Sequence, residues 1–163
     1  MKLLSISLLL VSFYSEGFAQ YQKTINTNTL SIAGFGSYYN LAYSRQISKE
    51  DNIALSLSYY ADIEDTFSNQ NYVGNFCYKH SVLRIHDIYL NGGGGFLFVY
   101  TKAEDIIGNN VTDNSTGLSA NLDLEYYLSH WLILFGDFKQ MVFLNSDFYN
   151  SQFLYSFGLK IVF

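Results

Sequence analysis

The sequence predicts an all-β fold, an eight-stranded antiparallel transmembrane β-barrel preceded by a cleaved signal peptide. Three observations carry that prediction. Apolar and polar residues alternate along eight segments separated by turn-forming stretches, which is the period of strands with two unlike faces. The 163 residues are 49% hydrophobic and 14% charged, with 15 Tyr, 14 Phe and no Pro. Beyond the N-terminal segment no apolar run approaches the ~20 residues that a spanning helix requires. A closed barrel hides such a composition by pairing every backbone group and turning alternate residues toward lipid. The aromatic content suits interfacial girdles, and the absence of Pro suits uninterrupted ladders.

The N-terminal segment reads as a secretory signal. Met1-Lys2 gives a short positive start, Leu3 to Phe13 an apolar stretch, and Gly17-Phe18-Ala19 a small-residue cleavage site before Gln20. The stretch is too short to span a bilayer and Glu16 follows it. The domain reading is therefore a signal peptide over 1–19 and one barrel domain over 20–163, in the bacterial outer membrane.

The strands are expected near Thr29–Ser37, Tyr39–Ile47, Asn52–Ala61, Tyr72–Val82, Asp87–Ala103, Thr116–Leu128, Trp131–Leu144 and Phe153–Phe163. Each reaches the length of a tilted membrane strand. The third sets Ile53, Leu55, Leu57 and Tyr59 against Ala54, Ser56, Ser58 and Tyr60. The sixth is the clearest: Leu118, Ala120, Leu122, Leu124, Tyr126 and Leu128 alternate with Ser119, Asn121, Asp123, Glu125 and Tyr127. In the seventh, Leu132, Leu134, Gly136, Phe138 and Val142 are assigned outward, and Trp131, Ile133, Phe135, Asp137, Lys139 and Met141 inward. The last puts Phe153, Tyr155, Phe157, Leu159, Ile161 and Phe163 on one wholly apolar face. A terminal strand of that kind, closing on an aromatic residue, resembles the insertion signal of outer-membrane barrels. The resemblance implies membrane lipid and the barrel-assembly machinery as partners.

With the termini in the periplasm, the joints at Ser48–Asp51, Leu83–His86 and Ser129–His130 fall on the periplasmic side and are short. Those at Asp62–Gln70, Glu104–Ser115 and Asn145–Ser151 fall outside and read as longer polar loops, while the one near Ser37–Tyr38 looks tight. This is the asymmetry of outer-membrane barrels. Asp62, Glu64, Asp65, Glu104, Asp105 and Asp113 make the outer joints acidic, either as solvated loops or as a recognition surface. The net charge of −5 is the same with or without Lys2 and Glu16, and offers no footprint for nucleic acid.

Asn121, Asp123, Glu125, Asp137, Lys139 and Lys160 are placed in the lumen. An eight-stranded interior is just wide enough for side chains to fill, so a paired plug is the expectation rather than a conducting pore. Gly92 to Gly95 precede a β-forming run, not a helix, and are read as structural glycines instead of a phosphate cradle. His80 and Ser81 adjoin in sequence and so point to opposite faces, which argues against a lipid-hydrolase pair. No spacing resembles a metal site, the lone Cys77 is expected to be either a buried, inert thiol or an unused one, and no cofactor or catalytic residue is assigned.

One family resemblance is carried by Leu122-Asp123-Leu124-Glu125-Tyr126-Tyr127-Leu128-Ser129, the strand Trp131–Gly136, Asn145-Ser146-Asp147 and the closing Phe157-Gly158-Leu159-Lys160-Ile161-Val162-Phe163. Over Leu118–Phe163 the chain resembles the TraO-type conjugal transfer proteins of Bacteroidetes conjugative elements. It departs from their pattern at Asp137, where a basic residue is usual, and at His130, where an acidic one is expected. The resemblance implies a structural part of a conjugation apparatus that anchors or positions other transfer proteins, without itself binding DNA. The other readings are a generic small barrel acting as envelope tether or adhesin, and a lipid-modifying enzyme of the same architecture.

Overall fold

The structure, a computed structural model, describes residues 23–163 apart from 65–66, 106–109 and 147–149, with side chains described outside 62–68 and 104–109 as well. The signal peptide reading lies outside the described residues. Eight strands follow in order: β1 (Asn28–Phe35), β2 (Tyr38–Gln46), β3 (Asp51–Glu64), β4 (Phe67–Ile85), β5 (Ile88–Asp105), β6 (Asn110–Tyr127), β7 (Leu132–Phe143) and β8 (Ser151–Val162). Each pairs antiparallel with its sequence neighbour, and β8 pairs back onto β1 from Gly34↔Phe157 to Thr29↔Val162, closing the barrel. Closure leaves no unpaired edge at the seam, which is the condition for a sheet in lipid.

The alternation puts an apolar surface on the outside of every strand. Ile32, Leu41, Leu57, Phe76, Phe96, Leu122, Phe138 and Phe157 are all exposed. Tyr59, Tyr72 and Tyr100 are cross-strand neighbours whose tilted rings have centroids 5.3 and 6.2 Å apart, forming a girdle toward the end opposite the termini. Such amphipathic rings sit at a membrane interface.

Four expectations need correction. Trp131 does not enter the lumen: it is 49% exposed and precedes β7. The Ser129 hydroxyl accepts the amides of Trp131 and Leu132, and Leu128 N–H bonds Leu132 C=O, so a turn interrupts the alternation there. Two outer joints expected as loops are largely strand. β3 and β4 stay paired to Glu64↔Phe67, and β5 and β6 to Glu104↔Asn110. Strands standing in water on both faces carry polar residues on both, so polarity alone cannot tell them from loops. The turn placed at Leu83–His86 falls at His86-Asp87, because β4 passes through a register shift between Ser81 and Leu83 and continues to Ile85. His86 there has φ 54°, the left-handed region. The tight joint near Ser37–Tyr38 is a two-residue turn, Gly36-Ser37, between Phe35 and Tyr38, with Gly36 at φ 58°.

The glycines set how closely strands coil. Gly93 and Gly95 face the lumen, where a Cβ would fall on the carbonyls of Tyr78 and Phe76 respectively. Gly158 does the same at the closing seam: its Cβ would fall on Ile32 C=O and 2.7 Å from Ala33 Cα. Gly158→Val is expected to destabilise the barrel by about 1–3 kcal/mol, since the obstructing atoms are backbone and cannot rotate away. Urea unfolding in phospholipid vesicles measures it. An unchanged midpoint would show the seam to be looser than described.

Candidate functional site: the filled lumen

The lumen is stacked in three layers. Toward the end away from the termini, Tyr38, Tyr60, Val73, Leu97, Met141 and Phe143 pack with Val99 and Leu154 into an apolar plug. Toward the terminal end, Tyr89, Tyr127 and Ile133 pack together, with the Tyr rings 5.1 Å apart. Between them lies an ionic layer.

Asp123 is its centre. It is 0% exposed, 2.5 Å from Lys79 Nζ and 3.3 Å from Lys160 Nζ. Lys160 donates to Glu125 at 2.7 Å and lies 4.3 Å from the centre of the Phe135 ring. Glu125 also meets Lys23 at 3.1 Å. Asp137 stands opposite Asp123 in register and 3.9 Å from Lys79. Lys139 is buried and donates to the Tyr38 hydroxyl at 3.4 Å, at the border of the apolar plug. Asn121 donates to Ser119, which donates to Asn75. The layer borders a cavity of about 30 Å³, lined in part by Asn40, Ser56, Asn75 and Lys79, with room for water. All six polar residues placed in the lumen by alternation are there, and all are buried.

Two members were not singled out from sequence. Lys79 shares its parity on β4 with the buried Val73, Asn75 and Cys77, and the cost of a charge facing lipid could have assigned it inward. Lys23 precedes β1, so no strand period reaches it. It enters the terminal mouth of the barrel, donating to Asn91 at 2.6 Å and Ser81 at 2.9 Å.

His80 and Ser81 diverge as their adjacency requires. Ser81 donates inward to Asn91, whereas the His80 ring meets Asp51 at 2.8 Å on the outer surface. Asp51 closes the Ser48–Asp51 turn at the terminal rim of the barrel. Hydrogen bonds from the hydroxyls of Ser48 and Tyr78, then from His80, hold its carboxyl down at about 2, from an ordinary 3.8. A depressed carboxyl contributes stability above its unfolded value and loses it as pH falls through the folded one. Part of the acid sensitivity between about pH 4 and pH 2 is therefore expected to disappear in Asp51→Asn, read from unfolding midpoints in that window. Parallel curves for the two proteins would contradict this.

No protein-family model and no curated protein sequence matches the chain. Solved structures do. The fold is similar to the N-terminal β-barrel domain of Pseudomonas aeruginosa OprF, with TM-score 0.71 and 12% identity over 86% of this chain and 100% of that one. It is similar to Neisserial surface protein A, with TM-score 0.68 and 11% identity over 84% and 94%. It also resembles Ail, the attachment invasion locus protein of Yersinia pestis, with TM-score 0.56 and 11% identity over 86% and 100%. Closed topology, apolar belt and girdle together define an eight-stranded transmembrane barrel of the outer-membrane type.

Proposed function

We propose that this chain is a structural, non-catalytic barrel of the bacterial outer membrane, a tether or adhesin working through its surfaces and not through its lumen. One observation carries the reading: an apolar plug and a buried ionic layer fill the interior from end to end. The termini face the periplasm in this reading, so the extended ends of β3 to β6 stand outside the cell. The test is refolding into lipid followed by planar-bilayer recording. A heat-modifiable band on unboiled gels with no conductance steps is the expected result. Reproducible unitary steps would overturn it.

A second reading assigns the barrel to a conjugation apparatus, where its short periplasmic turns or outer extension position other transfer proteins. It is supported by the resemblance over Leu118–Phe163 alone. Deletion in donor cells, scored for element transfer beside a cross-linking pull-down, tests it. Lost transfer with recovery of transfer proteins supports the role, and normal transfer without them removes it.

A further inference from the structure

The barrel wall is uneven. β6 pairs with β5 out to Asn110, but with β7 only to Gly117. Just beyond, Thr116 C=O accepts Leu144 N–H at 2.9 Å, and Thr116 N–H donates to the Asn145 side chain at 2.8 Å. Backbone groups in a strand point to alternate sides, so Asn114, Thr112 and Asn110 aim theirs the same way as Thr116. Ser146 reaches the opposite parity, at Asp113. Asn114 stands opposite Tyr100, at the girdle, so Thr112 and Asn110 lie beyond the lipid. All three are exposed. Among the described residues no strand pairs with this edge.

Charge selects the occupant. Five carboxylates lie past the girdle on the described strands: Asp62, Glu64, Glu104, Asp105 and Asp113. Lys102 is the one cation among the described residues there, which leaves a net of −4. A sheet edge with strand-spaced donors and acceptors fits a polypeptide backbone, and an acidic surround fits Lys or Arg on it. We propose that the Asn110–Asn114 edge docks an extended basic segment of a partner protein as an added strand at the cell surface. The cell-surface placement rests on the orientation proposed above. The edge itself does not.

The test uses the protein in nanodiscs and an alternating Lys-Val decapeptide, with Glu-Val and centrally Pro-interrupted versions as controls. The expected result is salt-sensitive binding of the Lys-Val peptide alone, with slowed amide exchange at Thr112 and Asn114. Thr112→Pro removes one edge donor while sparing the β5 ladder, and is expected to weaken binding roughly tenfold. A heat-modifiable band shows that the variant is folded. Equal binding by Thr112→Pro, or by the Pro-interrupted peptide, would reduce the surface to a polyanion and overturn the proposal. So would absence of peptide binding, with or without Mg²⁺-dependent capture of lipopolysaccharide vesicles. Labelling of Thr112→Cys on intact cells tests the orientation separately: an unreactive thiol there sinks the outward placement while leaving the nanodisc result standing.

Discussion

Asp123→Ala is expected to lower the stability of the barrel by about 3–5 kcal/mol, the cost of leaving buried charge uncompensated. The lumen holds Lys23, Lys79, Lys139 and Lys160 against Asp123, Glu125 and Asp137. Removing Asp123 leaves Lys79 with Asp137 at 3.9 Å and Lys160 with Glu125 alone. A charge that loses its partner in a closed interior keeps its desolvation cost and forfeits the attraction that offset it. The compensating variant makes the interpretation specific. Asp123→Ala combined with Lys79→Met should recover much of the loss, because the cation is removed together with the acid. Unfolding in vesicles measures both. A small loss in the single variant, or no recovery in the double, would mean that water reaches this layer and screens it.

Leu122→Arg is expected to cost about 2–4 kcal/mol in lipid, the range for a cation on the outer face near the bilayer midplane. Leu122 sits in the middle of the outward row of β6, between Leu118 and Tyr126, with Phe138 beside it on β7. The same substitution at Thr112, past the tyrosine girdle, should cost about 0–1 kcal/mol. The difference between these positions reports the membrane band directly. Equal costs would argue that the apolar belt does not meet lipid, and the same pair compared in a detergent of short chain length should show a smaller contrast.

Much of this fold was legible in sequence because a strand's period of two is strict and the two environments are opposite in polarity. β6 shows it plainly: Leu118 to Tyr126 point out and Ser119 to Tyr127 point in, as alternation requires. The same alternation carries Asp123, Glu125, Asp137, Lys139 and Lys160 into the lumen. Trp131 failed because a turn at Ser129 resets the phase, and phase cannot be carried through a turn. The outer reach of β3 to β6 was hidden because, in water on both sides, neither face is apolar.

Sequence alone therefore determined the architecture and, apart from Trp131, the inward and outward faces it assigned, since each depends on local polarity against a fixed period. Only the tertiary structure decided which charges meet. Lys79 and Asp123 are 44 residues apart and Lys160 and Asp123 are 37 apart, so register and barrel closure, not local pattern, bring them within bonding distance. The same holds for Lys23, which lies before any strand yet occupies the mouth of the lumen, and for the exposed edge of β6. That edge exists because two neighbouring strands end at different heights, a fact about pairing that no single strand records.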